Sequence, residues 1–276
     1  MGDSSIGGLL LEAGKITAEN AEHVMRMQRE LGLRFGEAAK RLGLITEEDI
    51  EHVLARQFDY PYLRQGEANY PDALKAAYEP FSAQVEVLRA VRSQLMLRWF
   101  ARGHKSLTIM STESGDGASL LAANLAVVFS QLGERTLLVD GNMRAPAQRQ
   151  IFSLEARQGL SDLLAGRAEF DVISKIDSFV ALSVLNAGTL PPNPQELLSR
   201  STFGALNLEL ENMFDVVLYD APAVGTASDA LAIASRTKGV LLVIRKNRTG
   251  LADVQALSEQ VNRSGAEVVG SVLVDF

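Results

Sequence analysis

Short, almost uninterrupted apolar runs recur through the later part of the chain and constrain its fold more than any other feature. Stretches with helical periodicity separate the runs, which cover residues 107–111, 136–140, 181–185, 215–220, 239–244 and 268–273. Helices cover both faces of a parallel sheet, so its strands are apolar throughout instead of alternating with polar residues. We therefore predict a doubly wound, mostly parallel α/β domain, in which ligands bind at the carboxyl ends of the strands.

The beginning of the chain contains an internal repeat with an offset of 29 residues, in which the segment Gly14–Thr17 recurs as Gly43–Thr46. In each copy the glycine fits the end of one helix and the threonine fits the N-cap of the next. We predict a small all-α N-terminal domain over residues 1–63. The polar residues 64–80, which include glycine and proline, predict a linker, and the α/β domain then occupies residues 81–276.

Composition excludes several functional classes. The chain has no cysteine, which excludes disulfides, thiolate zinc sites and cysteine nucleophiles. Its net charge of -7 makes nucleic acid a poor candidate for a partner. The most apolar stretch, Ala118–Phe129, is too short to span a bilayer, and the N-terminus lacks the basic segment of a secretory signal. We expect a cytoplasmic protein with no transmembrane segment of its own.

The first predicted strand ends in a glycine-rich turn, Ser111–Ser119, that leads directly into a helix. Backbone N–H groups at the positive end of a helix dipole form an anion-binding cradle. Ser119 stands where a P-loop places its magnesium-binding hydroxyl, but Ala118 replaces the expected lysine. An ordinary strand-to-helix turn would have the same glycine pattern. We assign nucleotide binding to Ser114, Gly115, Asp116, Gly117, Ala118, Ser119 and Leu120.

Two further predicted strands end in a carboxylate, at Asp140 and Asp220. In a parallel sheet both side chains emerge at the same edge as the glycine-rich turn. Aspartate at a strand end is also common as a helix N-cap. The three elements together nevertheless favour a magnesium site made by Ser119, Asp140 and Asp220.

From about Phe81 to its end, the chain resembles the bacterial tyrosine kinases of exopolysaccharide and capsule synthesis, in particular the EpsG type associated with chain-length determinants. A second Walker-like motif lies at Asp140–Arg144, and a Walker B strand ends at Asp220. The segment Leu190–Leu198 contains the Pro-Pro-Asn-Pro-x-Glu-Leu-Leu pattern, and the helix before the first strand carries a Glu-x-x-Arg-x-x-Arg motif.

The resemblance implies a P-loop fold related to the MinD and ParA ATPases, with ATP or ADP and Mg²⁺ as cofactors. It implies catalytic roles for Asp140 and Asp220, and subunit contacts in a homo-oligomer through Glu86, Arg89 and Arg92. It also implies a membrane chain-length-determinant (Wzz-like) partner, which would hold the protein peripherally at the inner membrane. The N-terminal repeat resembles, less specifically, the N-terminal domain of type II secretion ATPases, where similar modules act as docking units.

Two departures from the family pattern bear on activity. Ala118 replaces the lysine that contacts the phosphates, and Asn142 replaces the second Asp of an Asp-x-Asp pair. Phosphoryl transfer depends on preorganised positive charge, so we expect impaired transfer while binding survives. The sequence leaves open whether Ala118 is natural or an engineered replacement of lysine. We hypothesise that Arg144, just beyond Asp140, reaches the phosphates, acts in catalysis and partly replaces the lysine.

Two other functions stay open at this point. One is a MinD- or ParA-like ATPase switch, although Thr112 and Glu113 occupy the positions where such proteins carry a second lysine. The other is a non-catalytic adaptor that docks partners through the N-terminal helical repeat and uses the α/β domain only for oligomerisation.

Overall fold

The computed structural model describes residues 6–57, 61–225 and 228–275. The chain divides into two compact units, with the boundary between Tyr62 and Leu63. Among the described residues, no helix combines the length and apolar character that crossing a bilayer requires.

The N-terminal unit contains four helices: α1 (Ile6–Glu12), α2 (Ala18–Leu31), α3 (Phe35–Arg41) and α4 (Glu47–Gln57). The predicted helix ends and caps are confirmed. Gly14 and Gly43 have φ angles of 66° and 69°, and the Thr17 hydroxyl accepts a hydrogen bond from the Asn20 amide at 3.2 Å. Thr46 caps α4 as predicted, and Asp49 caps the Thr46 amide in return.

The second unit is built on a sheet in the order β3-β4-β2-β5-β1-β6-β7. All pairs are parallel except β3 with β4. The six predicted strands are confirmed, and β3 was not predicted. The strands are β1 (Ser106–Ser111), β2 (Thr136–Asp140), β3 (Ser174–Lys175), β4 (Leu182–Leu185), β5 (Val216–Asp220), β6 (Gly239–Arg245) and β7 (Glu267–Val274).

Helices pack on both faces of this sheet and form two separate apolar cores, which confirms the doubly wound α/β fold. One core contains buried side chains of α6 and α7, and the other contains buried side chains of α11, α12 and α13. The helices of this unit are α5 (Lys75–Tyr78), α6 (Ala83–Arg98), α7 (Ala118–Gln131), α8 (Gln148–Ile151), α9 (Leu160–Leu164), α10 (Pro194–Ser199), α11 (Ser201–Met213), α12 (Asp229–Thr237) and α13 (Leu251–Arg263).

Residues 64–80, predicted as a linker, instead pack on α7. The buried Asn124 side chain accepts a hydrogen bond from the Ala76 amide at 2.9 Å and donates one to the Ala73 carbonyl at 3.2 Å. Gln131 also donates to the Ala76 carbonyl, at 3.0 Å. The prediction was wrong because it weighed the polar composition, whereas this segment is anchored through its backbone to amide side chains of α7.

We predict that Asn124→Ala lowers the free energy of unfolding by about 1–3 kcal/mol, because it removes the partner of the buried Ala76 amide and of the Ala73 carbonyl. Limited proteolysis should then cut within residues 64–80, and chemical denaturation should report the loss of stability. The control is Asn262→Ala, at an exposed position of α13, which should change neither result. Unchanged protease resistance in Asn124→Ala would contradict the anchoring role.

Candidate functional site

The glycine-rich loop between β1 and α7 has the backbone conformation of an anion cradle. Gly115 and Gly117 have φ angles of 85° and 86°, a region that residues with a side chain rarely adopt. Where left-handed glycines alternate with residues in the right-handed region, successive backbone amides point towards a common position. Helix α7 begins at Ala118, so its free N–H groups lie beside the loop. The predicted strand–loop–helix arrangement is therefore present.

Asp116 holds this loop together from within. Its carboxylate is 1% exposed and accepts hydrogen bonds from the Glu113 amide at 3.1 Å and the Thr112 hydroxyl at 3.3 Å. The Ser111 hydroxyl donates to the Glu113 carbonyl at 2.9 Å. All of these contacts are made by the loop's own residues, so they preorganise its shape.

Asp140 and Asp220 lie side by side, as the sequence predicts, because β2 and β5 pair with these two residues in register. Both side chains are fully buried. Three backbone amides donate to the Asp140 carboxylate: Asn142 at 3.1 Å, Ala147 at 2.9 Å and Gln148 at 2.9 Å. The turn after β2 thus encloses Asp140 with donors and fixes its orientation.

Asp220 receives its contacts from side chains. Its Oδ2 atom accepts a hydrogen bond from Gln148 Nε2 at 2.8 Å, and the Ser119 side chain lies near enough to the same carboxylate to lower its pKa. Gln148 Nε2 also donates to the Ser119 carbonyl, at 3.0 Å. Gln148 therefore connects three elements: the start of helix α7, the turn after β2 and the end of β5. Among the described residues, Asp220 Oδ1 is buried and has no hydrogen-bond partner.

These surroundings shift the acidity of both carboxyl groups. Burial raises the pKa of Asp140, and the neighbouring Asp220 carboxylate raises the pKa of Asp140 further. Burial also raises the pKa of Asp220, against the opposing effect of hydrogen bonds from Gln148 and Ser119. A divalent cation beside the pair would remove this repulsion and displace the bound proton, so cation binding is favoured as pH rises.

The donor set fits magnesium held together with phosphate. Across the described residues, no group of three His, Cys, Asp or Glu side chains surrounds a possible metal position. Mg²⁺ commonly uses only one or two carboxylates, with water and substrate phosphates as its other ligands. The Ser119 hydroxyl and the unpaired Asp220 Oδ1 supply such oxygens, next to the amides of the loop.

Arg144 does not donate to the loop in this structure. Its guanidinium forms an ion pair with the buried Asp229 at the start of α12, with Nε–Oδ2 and Nη2–Oδ1 distances of 2.7 and 3.3 Å. Asn142 accepts a hydrogen bond from the Ala145 amide at 3.1 Å, so it stabilises the turn after Asp140. A direct contact of Arg144 with phosphate stays a prediction.

The Glu-x-x-Arg-x-x-Arg residues form contacts within the single chain. Arg89 pairs with Glu86 and donates to the Pro80 carbonyl, and Arg92 Nη1 donates to the Val128 carbonyl of α7 at 2.6 Å. Subunit contacts through these residues stay a prediction.

Sequence reasoning missed Gln148, Asp229 and the turn between β6 and α13. Gln148 Nε2 lies close to Asp220, 72 positions later in the chain. Arg245, the last residue of β6 where this turn begins, and Arg248 within the turn donate to carbonyls of the loop from more than 100 positions away. No local pattern marks such contacts, and only the strand order β5-β1-β6 could have placed the turn beside the loop.

Comparisons with known proteins agree with this geometry. The chain is 36% identical over 195 residues to the putative tyrosine-protein kinase CapB of Staphylococcus aureus, a match that spans 71% of this chain and 86% of CapB. No protein-family model matches the chain.

Two solved structures extend the similarity to the fold. The chimerical protein CapA2B2 superposes with a TM-score of 0.69 at 35% identity, covering 83% of this chain and 98% of that one. The kinase domain of the Escherichia coli tyrosine kinase ETK gives a TM-score of 0.72 at 27% identity, covering 77% and 82%.

The raised pKa of Asp220 predicts a pH-dependent stability. A folded carboxyl whose pKa lies above the usual 3.8 retains a proton that the unfolded chain releases. The free energy of unfolding therefore falls as pH rises from the usual pKa of the unfolded chain to the raised pKa of the folded protein. In EDTA, Asp220→Asn should raise the melting temperature by a few degrees at pH 8, which corresponds to a gain in the free energy of unfolding on the order of 1–2 kcal/mol. The gain should be smaller at pH 5.

Calorimetry at the two pH values checks this prediction. The control is Asp177→Asn, at an exposed position, which should have no pH-dependent effect. A gain for Asp220→Asn that is equal at both pH values, or a loss at pH 8, would contradict the assigned carboxylate repulsion.

Proposed function

Because the chain belongs to the bacterial tyrosine-protein kinases, we propose that it binds ATP or ADP with Mg²⁺ and that its transfer of phosphate to tyrosine is impaired. The observation that carries this proposal is the convergence of three elements at one edge of the sheet. These are the preorganised loop of Gly115 and Gly117, the Ser119 side chain near Asp220, and Asp140 beside Asp220.

Each element has a distinct role in the proposed site. Backbone amides from Ser114 to Leu120 hold the phosphates. The Ser119 hydroxyl and the Asp220 carboxylate hold the magnesium ion or its water shell, and Asp140 completes the acidic side of the site. The ion, when bound, neutralises charge that develops on the transferring phosphoryl group. Arg144, fixed by Asp229, is available to orient this edge of the site.

The reason for impaired transfer is the residue at the start of α7. Ala118 has no charge and is buried, so the loop lacks the lysine cation that normally stabilises the moving phosphoryl group. Loss of one such preorganised electrostatic group slows a reaction by about a hundred-fold or more. The amides, the serine and the carboxylate that bind the nucleotide are all retained, so binding is affected less than transfer.

In the cell, the proposed role is regulation of exopolysaccharide synthesis and chain length. It rests on the resemblance of the α/β domain to the exopolysaccharide tyrosine kinases. A membrane chain-length-determinant protein is the proposed partner and would keep this protein at the inner membrane. The N-terminal helices serve as a docking unit, and Glu86, Arg89 and Arg92 serve as the contact between subunits of a homo-oligomer.

We predict that Ala118→Lys increases ATP-dependent tyrosine phosphorylation at least about tenfold over the parent protein, because it restores a cation beside the phosphates. Phosphotyrosine and released phosphate are measured with ATP and magnesium. The matched control is Ala118→Met, which adds a side chain of similar length without charge and should give no increase.

The other outcomes distinguish the alternative functions. Phosphate release without phosphotyrosine in the lysine variant would favour an ATPase switch of the MinD or ParA kind. Absence of nucleotide binding in the parent and both variants would contradict the proposed function and favour a non-catalytic adaptor.

A further inference from the structure

The turn between β6 and α13 is folded against the glycine-rich loop. It is tightened by the amides of Arg248 and Thr249, which both donate to the Arg245 carbonyl, at 3.2 and 3.0 Å. Asn247 in the turn has a φ angle of 61°. The third cation of the turn, Lys246, is instead paired with Asp275 at 2.7 Å. One turn therefore directs two guanidinium groups, but not the ammonium group, towards the loop.

Both arginines donate to loop carbonyls. Arg245 Nη1 lies 3.1 Å from the Gly115 oxygen, and Arg248 Nη2 lies 3.3 Å from the Ser114 oxygen. Arg248 Nε is also 3.8 Å from Asp116 Oδ1, a buried atom without a hydrogen-bond partner among the described residues. These contacts place two guanidinium groups next to the loop in which Ala118 replaces the expected lysine. Arg248 Nε also lies 3.6 Å from the Glu113 carboxylate of the same loop.

The geometry of the peptide group gives these contacts a consequence for anion binding. In a planar trans peptide, the carbonyl and the N–H of the next residue point in opposite directions. A donor that holds the Ser114 carbonyl on one side therefore fixes the Gly115 N–H on the other side, and a donor on the Gly115 carbonyl does the same for the Asp116 N–H. Donation to a carbonyl also polarises its peptide group and strengthens the N–H as a donor.

The arginines act on the side of the loop away from the carboxylate pair. In the sheet, β6 is the neighbour of β1 on one side, while β5 and β2, which carry Asp220 and Asp140, lie on the other. Under the proposed function, Asp140 and Asp220 at the ends of β2 and β5 would hold magnesium. The amides fixed from the β6 side would then serve the phosphates that ATP and ADP share.

We propose that Arg245 and Arg248 are positioning residues for nucleotide binding. They orient the Gly115 and Asp116 amides and supply the positive charge that Ala118 lacks. This charge supports nucleotide binding but not phosphoryl transfer. The inference rests on the proposed function, since it names the groups that keep the same site competent for nucleotide. Thr249 supports the arrangement: its hydroxyl accepts from the Arg245 amide at 2.9 Å and lies 3.5 Å from Asp116 Oδ2.

The test is nucleotide affinity, measured by titration of ADP and ATP with magnesium into the full chain. Arg245→Ala and Arg248→Ala should each weaken both nucleotides about tenfold, to the same extent for ADP and ATP. Arg248→Lys, which keeps a charged donor, should recover most of the loss. The matched control is Lys246→Ala, which removes the same charge from the same turn and should change affinity less than about twofold.

A second measurement separates positioning from a general structural effect. In the nucleotide-free protein, Arg248→Ala should shift the amide NMR resonance of Gly115 without lowering the melting temperature, and Arg245→Ala should do the same for Asp116. In the Ala118→Lys background the affinity loss of either variant should shrink, because the lysine then supplies a cation.

The outcomes distinguish failure of this inference from failure of the proposed function. If the parent binds nucleotide and both alanine variants bind equally well, the arginines have no such role and the proposed function stands. If the parent binds none while Ala118→Lys does, the arginines do not compensate: this inference is overturned together with the proposed nucleotide binding of the parent chain, while the assignment of the loop as a nucleotide site stands. If neither binds, the proposed function fails and this inference fails with it.

Discussion

Two carboxyl groups buried side by side at the ends of β2 and β5 constrain everything around them. Like charges at this distance in a low dielectric repel strongly, yet the strand register leaves Asp140 and Asp220 no means of separating. The surrounding fold stabilises the pair with three backbone amides on Asp140 and with Gln148 on Asp220. In the part of the chain that the structure describes, the buried Asp220 Oδ1 atom still has no donor. Such an arrangement is completed by a cation, which is why this edge of the sheet is suited to a metal–phosphate ligand.

The two departures from the family pattern change the charge of the site in opposite directions. Ala118 removes a positive charge, and Asn142 removes a negative one, so the sum of fixed charges in the site equals that of the pattern. Binding of a polyphosphate with its metal depends largely on this sum and on the preorganised amides. Transfer depends instead on where each charge lies relative to the moving group. The same pair of changes can therefore spare binding and impair catalysis, and Asn142 acquires a structural role by accepting from the Ala145 amide.

The sequence predicted the features that local chemistry determines. The six parallel strands follow from continuous apolar runs. The helix ends at Gly14 and Gly43 follow from glycine itself, which tolerates the left-handed backbone found there. The meeting of Asp140 with Asp220 follows from the common edge of parallel strands. What could not be predicted depends on distant partners. The two-residue strand β3 is too short for a pattern, residues 64–80 are ordered by amide side chains of α7, and the turn at Arg245 becomes relevant only because β6 lies beside β1.

The strand order also separates two tasks that a P-loop lysine usually combines. That lysine contributes both to holding the phosphates and to stabilising the one that moves. Here the carboxylates proposed to act on the phosphate that moves lie at the ends of β5 and β2, whereas the arginines lie towards β6. A nucleotide bound mainly by the β6 side would be retained whether or not its terminal phosphate is present, and it would stabilise the folded site by mass action. Under the proposed function, bound nucleotide would therefore stabilise the folded α/β domain in its ATP and ADP forms alike.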